Sequence, residues 1–281
     1  MDRSIIFSLM IIILLGVSYY FWQEHQASLV LIEIEPSVEM GKEQQPPEDN
    51  VEILYPVPEV SDTQIEEDEN AEEDVVVDEF MVPELDNSDA VIQKALAEVY
   101  ALKNLVEVFI FHDFIRHVVV TIDNITAKKL PRRFVFTHSP NQSFAVGTSE
   151  EEKIFVLKAS NYSRYNLYLN FVNRVSNEQL VSIYIKFYPL FQQAYDELGY
   201  SGRYFNDRLV EVIDHLLQTP EVDKEIKLTR PKVFYQFLDE KLENLSSGQK
   251  ILIRIGPENA KQMKARLKTI KQLLTSFTRT Q

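Results

Sequence analysis

The sequence contains no cysteine. Disulfides, thiolate metal sites and cysteine nucleophiles are therefore excluded. A cysteine-free chain suits an oxidising compartment, although such chains are also common in the cytosol.

The sequence also lacks the signatures of two common catalytic sites. A zincin metalloprotease needs H-E-x-x-H, and a phosphate-binding loop needs G-x-x-x-x-G-K-[ST]. Neither pattern is present. Gly248-Gln249-Lys250 is only a fragment of the second pattern, and we interpret it as a turn into a helix. We predict neither a metal ion nor a cofactor.

Charge is absent from residues 5–22, which are mostly apolar. About 20 apolar residues in a helix cross the hydrocarbon core of a bilayer. Tyr19 and Trp22 place amphipathic rings at the far end, and Arg3 precedes the run, which favours a cytoplasmic N-terminus at residues 1–4. We therefore predict a retained transmembrane anchor at residues 5–22. A cleaved signal peptide is the alternative, with Gly16-Val17-Ser18 as its cleavage site.

Basic residues are almost absent between residues 30 and 89, where Lys42 stands against 21 acidic residues, a net charge of −20. From residue 90 onward, 27 basic and 20 acidic residues give +7. The acidic, proline-containing segment offers too little apolar surface to offset chain entropy. We predict a disordered linker at residues 23–87. Two apolar stretches, 51–58 and 75–85, interrupt it, either incidentally or as partner-binding or self-docking motifs.

Residues 88–281 have the length and patterning of one folded domain. Three short apolar runs, RRFVFTH, QSFAVGT and KIFVLKA, predict a small antiparallel β element. Helical spacing predicts an α-rich remainder, so the fold class is α+β and predominantly α-helical. The predicted helices begin at Asp86 or Ser88, cover 102–125, cover 177–198 with a kink at Pro189 and an end at Gly199, cover Phe205–Leu217, and begin again near Pro257.

Four sequence blocks occur in order in this domain. They are NYSRY at Asn161, YPLFQQAYDELGY at Tyr188, YFNDRLVEVIDHLLQTP at Tyr204 and LENLSSGQKILIRIGPENAKQMKARL at Leu242. Together they resemble the bacterial family designated domain of unknown function 3014, from near Pro83 to the last helix. The resemblance implies a bacterial, envelope-associated protein. It leaves the mechanism open, because the family has no assigned reaction.

Acidic residues crowd the polar side of the helix at Tyr204. Glu211 and His215 have the i, i+4 spacing that can hold a metal or set up acid–base chemistry, although such alternation is also typical of a solvated helix face. Glycoside hydrolysis needs two carboxylates about 5 to 10 Å apart, so a cell-wall hydrolase acting on glycan or peptide is the alternative function. Its catalytic candidates in the 190–215 region are Glu197, Asp207, Glu211 and Asp214.

Tyrosine and arginine recur in the family-like blocks. Such side chains combine large contact area with directional hydrogen bonds, which favours a binding groove. Packing of rings against aliphatic stems is the structural alternative. The candidate binding residues are Arg164, Tyr165, Gln193, Tyr195, Arg203 and Arg208.

The last helix carries only basic charges after Glu258. Its basic residues are Lys261, Lys264, Arg266, Lys268 and Lys271. A basic helix face can meet anionic partners, and the charge division also suggests intramolecular docking of the acidic linker; a solvated face is the alternative. Nucleic acid is disfavoured by the predicted topology.

Together these features predict a single-pass protein of the bacterial inner membrane with its C-terminal domain in the periplasm. We expect a binding or scaffold domain that contacts an envelope protein or the cell wall and performs no chemistry.

Overall fold

The computed structural model describes residues 52–58, 81–100, 105–140, 142–149 and 153–277. The predicted anchor at 5–22 and most of the predicted linker lie outside these residues. Within the described part of the chain, no helix is long and apolar enough to cross a membrane.

The described residues form a predominantly helical α+β fold, which confirms the predicted class. The helices are α1 (Asp89–Tyr100), α2 (Phe114–Asn124), α3 (Asn166–Val172), α4 (Asn177–Lys186), α5 (Tyr188–Asp196), α6 (Phe205–Leu217), α7 (Glu240–Glu243), α8 (Ser247–Arg254) and α9 (Pro257–Ser276). Short 3-10 turns lie at Leu85–Asn87, Leu105–Glu107, Arg132–Phe134 and Ala159–Tyr165.

Four short strands form one antiparallel sheet in the order β1-β2-β3-β4. They are β1 (Val146–Thr148), β2 (Ile154–Leu157), β3 (Lys227–Thr229) and β4 (Gln236–Phe237). Val156 of β2 lies opposite both Gly147 of β1 and Lys227 of β3. Strand β2 therefore pairs with a strand close in sequence on one side and with a strand distant in sequence on the other. Leu157, Leu228 and Phe237 are buried beneath the sheet together with Ile253 of α8.

The helical part has its main core around α1, α2 and α5. Helix α2 packs on α5 and α6, whereas α9 packs on α4, α6 and α8. The start of α2 is stabilised from α1, because the Asp89 carboxylate accepts hydrogen bonds from the backbone N–H groups of Asp113 and Phe114, both at 2.9 Å. The carboxylate thus accepts from two backbone N–H groups that have no partner within the helix. Its negative charge also interacts favourably with the positive end of the helix dipole.

Two stretches of the predicted linker belong to this core. Val57 is 8% exposed and Leu85 is 6% exposed, and both pack in the main apolar cluster. Residues 52–58 and 81–87 therefore extend the folded part of the chain before residue 88.

Three details differ from the pattern-based prediction. The predicted run at 102–125 becomes a short turn followed by α2. The predicted helix at 177–198 is divided at Phe187, and Pro189 lies in the first turn of α5, where its missing N–H costs nothing. RRFVFTH does not join the sheet; within it, Thr137 forms an isolated bridge to Phe109.

Candidate functional site

A loop between α5 and α6 carries tyrosine and arginine side chains to one surface. Tyr200 of this loop stacks on Tyr195 of α5, with ring centroids 4.7 Å apart. Arg203 also contacts this ring, with its guanidinium carbon 5.6 Å from the Tyr200 ring centre. The loop can turn so tightly because Gly199 and Gly202 adopt φ values of 93° and 82°, which other residues rarely adopt.

Gln192 holds the two ends of this loop together. Its amide oxygen accepts hydrogen bonds from Tyr188 Oη (2.9 Å) and from the backbone N–H of Phe205 (2.8 Å). Its amide nitrogen donates to the Arg203 carbonyl (2.8 Å) and to Asp196 (2.9 Å). One side chain thus joins α5, the loop and the first turn of α6.

Arg208 anchors α6 to the end of α2. Its Nε donates to Asp123 Oδ1 at 3.0 Å, one Nη donates to the Asp123 carbonyl at 2.6 Å, and the other donates to Glu211 at 2.8 Å. Burial acts to lower the pKa of the Arg208 guanidinium, but Glu211 and Asp123 outweigh it and raise that pKa. The ion pair with Asp123 is well covered, since the two side chains are 19% and 14% exposed.

These side chains line a groove of about 640 Å³. Its lining residues are Glu52, Leu54, Asp123, Tyr195, Tyr200, Arg203, Tyr204, Asp207, Arg208 and Glu211. Three tyrosines, two arginines and four carboxylates from different parts of the chain thus meet at one surface. Tyr195 lies deepest, at 2% exposure, and its burial, followed by the nearby Asp123 charge, raises the pKa of its phenol to about 12.

The segment 52–58 lies beside this groove and is held through its backbone. The Asp207 carboxylate accepts from the N–H groups of Leu54 (3.0 Å) and Tyr55 (2.8 Å). Tyr204 Oη accepts from the N–H of Val57 (2.9 Å), and Asn206 Nδ2 donates to the Tyr55 carbonyl (2.8 Å). Three side chains at the start of α6, those of Tyr204, Asn206 and Asp207, therefore hold an irregular stretch of main chain as a binding site holds a peptide.

The four predicted catalytic carboxylates each have a partner. Glu197 pairs with Arg116 at 2.7 Å, and Asp214 accepts from Lys271 at 2.6 Å. Glu211 pairs with Arg208, and Asp207 holds the 52–58 backbone. Of these four carboxylates, only Asp207 and Glu211 line the groove.

The structure does not bring the six predicted binding residues together. Tyr195, Arg203 and Arg208 line the groove. Arg164 instead lies near the sheet, where its Nε donates to the Gln142 carbonyl at 2.9 Å and its guanidinium lies over the rings of Phe144 and Tyr165. Gln193 is exposed.

The predicted basic face on α9 is partly used inside the fold. Lys264 donates to the Thr219 carbonyl, Arg266 donates to the Val175 carbonyl at 2.8 Å, and Lys271 pairs with Asp214. Lys261 and Lys268 are exposed.

The His215 side chain is also engaged, because its Nε2 lies 2.9 Å from Ser246 Oγ. Across the described residues, no three His, Asp or Glu side chains are grouped so that they could hold a metal ion.

A family model described as "Protein of unknown function (DUF3014)" matches residues 114–271, more than half of the 281-residue chain. The chain belongs to this family. The predicted resemblance is thereby confirmed, although the match begins in α2 rather than near Pro83. No curated protein and no solved structure matches the chain.

The DUF3014 match contains most of the groove and leaves out the docked segment at 52–58. Within the matched region, the pattern-based selection missed Gln192 and Asn206. Asn206 is fully buried. A signal for it existed: it lies four residues before Val210 and seven before Ile213, so it is a polar residue on the apolar stripe of α6.

Proposed function

We propose that this DUF3014 domain is a binding or scaffold module that takes an extended polypeptide segment at the start of α6 and in the adjoining groove. The observation that carries the proposal is the set of hydrogen bonds between the backbone of residues 52–58 and the side chains of Tyr204, Asn206 and Asp207. These hydrogen bonds go to backbone N–H and carbonyl groups, so a segment of different sequence could be held in the same way.

The groove beside the segment has the composition of a recognition surface. Tyrosine rings supply contact area, and arginine and carboxylate groups supply directional hydrogen bonds. Arg203 is exposed at the groove, whereas Tyr195 and Arg208 are held by packing and ion pairing. An exposed group on a rigid base is suited to an incoming partner.

For its setting, we propose a single-pass inner-membrane protein with this domain in the periplasm. The support is the apolar run at 5–22 with Arg3 before it, and the envelope association that the family resemblance implies. The partner is then an envelope protein, with the cell wall as the other candidate.

A photo-crosslinking residue at Arg203 of the full chain, expressed in bacterial cells, tests the proposal. We expect a discrete adduct with an envelope component that is lost when Tyr200→Ser removes one groove ring. Tyr165→Ser is the matched control, because Tyr165 lies outside the groove, and it should leave the adduct unchanged.

A probe at the exposed Gln272 of α9 controls for random capture. The proposal would be overturned if this probe gave the same adduct, or if the Arg203 adduct survived Tyr200→Ser at full yield.

The cell-wall hydrolase is less well supported by the geometry. A hydrolase must direct two carboxyl groups at the substrate bond, whereas the four candidates already accept hydrogen bonds from cationic side chains or from the backbone of residues 54 and 55. Loss of a measured wall-cleaving activity in folded Asp207→Asn or Glu211→Gln variants would favour the hydrolase instead.

A further inference from the structure

The hairpin between β3 and β4 projects an exposed tip. Pro231, Lys232, Val233 and Phe234 are all exposed, and Val233 and Phe234 reach 68% and 65% exposure. Single exposed apolar residues are common on protein surfaces, but two neighbouring ones at a protruding turn are a feature of binding surfaces.

The base of the tip is ordered by specific contacts. Arg230 Nε donates to the Val233 carbonyl at 3.1 Å, and the Arg230 guanidinium lies over the Tyr235 ring. Tyr235 packs against Phe155 at 5.2 Å between ring centroids, edge to face. The apolar pair is therefore presented by a defined hairpin.

Positive charge lies beside the apolar pair. The Arg132 guanidinium lies 5.1 Å from the Phe234 ring centre, and Arg230 and Lys232 belong to the hairpin itself. Among the described residues, these three cationic side chains form no ion pair. We call the five residues Arg132, Arg230, Lys232, Val233 and Phe234 the basic hairpin surface.

We propose that the basic hairpin surface docks on an anionic lipid bilayer, with Val233 and Phe234 entering the interface and the three cations meeting headgroup phosphates. This combination of apolar tip and surrounding Arg and Lys is what gives interfacial segments their affinity for anionic membranes. The site is separate from the groove at α6, so the proposal does not depend on the proposed function.

The exposure of the tip favours a bilayer over an acidic peptide. The four tip residues all present their side chains to solvent, whereas an extended peptide is held in a groove or along a strand edge. A soluble polyanion would satisfy the arginines but would leave Val233 and Phe234 in water. A bilayer satisfies both parts of the surface.

Tryptophan fluorescence of the full chain tests the proposal. Trp22→Phe removes the single tryptophan, and Phe234→Trp places a reporter at the tip. The chain is combined with lipid-bilayer discs of phosphatidylcholine alone or with added phosphatidylglycerol. We expect blue-shifted emission and quenching by brominated lipid only in the anionic discs. Arg132→Gln and Lys232→Gln should each reduce the docked-to-undocked ratio about fivefold, as expected for one basic residue at a charged membrane surface.

Leu198→Trp in the Trp22→Phe background is the matched control, because Leu198 is an exposed leucine at the end of α5. The lipid proposal is wrong if both reporters are quenched equally, or if the tip emission is the same in the two kinds of disc. A tip response to soluble polyphosphate without any response to anionic discs would likewise overturn it and identify a soluble polyanion as the partner.

Discussion

Gln192 joins several elements near the groove through hydrogen bonds of one side chain. It satisfies the N–H of Phe205 at the start of α6, the hydroxyl of Tyr188 and the carbonyl of Arg203. Tyr188 is buried and Phe205 is fully buried, so water cannot easily replace these bonds.

We expect Gln192→Leu to lower the free energy of unfolding by about 1–3 kcal/mol, because it leaves buried polar groups without partners. Urea unfolding measures this. Gln193→Leu is the control: its side chain is exposed, so the change should stay within about 0.5 kcal/mol. Equal losses in the two variants would show that the Gln192 network does not stabilise the fold.

Tyr195 makes the domain sensitive to alkaline pH. Burial, and then the Asp123 charge, raises the pKa of its phenol to about 12. A tyrosine in an unfolded chain has a pKa of about 10. The stabilising effect of the neutral phenol is therefore complete below pH 10 and is lost as the pH rises toward 12.

We expect the free energy of unfolding to fall between pH 10 and about 12, and Tyr195→Phe to make that fall less steep. Denaturant unfolding at several pH values in this window measures both slopes. Identical slopes for the two proteins would contradict the assignment to Tyr195.

At the scale of elements, α6 is where the fold and the candidate site coincide. One of its faces packs Val210 and Ile213 against α9, and its first turn presents Asn206 and Asp207 to the segment 52–58. The docked segment should therefore respond to changes in that first turn and to few others.

Asp207→Ala should release this segment, because two backbone N–H groups lose their acceptor. Amide hydrogen exchange at Leu54 and Tyr55 should then become faster than in the unchanged protein. Asp214→Ala removes a carboxylate two turns further along α6 and breaks the Lys271 pair, yet it should leave exchange at both amides unchanged. Equal acceleration in the two variants would mean that the segment responds to general loosening of α6.

Helix α6 could be predicted because its pattern is complete in itself. Apolar residues recur at helical spacing from Phe205 to Leu217, and the observed helix has these bounds. Strands β3 and β4 could not be predicted in the same way, because they are three and two residues long and too short to show a period. Strand β3 also pairs with β2, which lies far away in sequence.

The candidate site was predictable only in part, for a similar reason. Tyr195, Arg203 and Arg208 belong to one stretch of sequence, so residue type and proximity suggested them. Asp123 reaches the groove from α2, and Leu54 reaches it from a segment whose composition resembles linker. Contacts that depend on tertiary packing leave no local pattern.

For the whole molecule, the docked segments decide where a stable fragment begins. Val57 and Leu85 are buried in the main core, and full burial of such a side chain contributes about 1.5–3 kcal/mol. A fragment of residues 88–281 lacks both.

We expect the fragment 50–281 to unfold at higher urea concentration than 88–281, because it retains both buried side chains. The fragment 81–281 should fall between them, since it keeps Leu85 and loses Val57. Equal midpoints for all three fragments would show that neither segment stabilises the domain.

The hydrogen bond from Val57 to Tyr204 also bears on how the chain folds during synthesis. Its two residues are 147 positions apart, so the segment leaves the ribosome well before its docking site exists. At 5–20 residues per second, the delay is about 7 to 30 s. Throughout that interval Tyr55 and Val57 have no folded surface to pack against. We therefore expect chaperones to bind this segment on the growing chain.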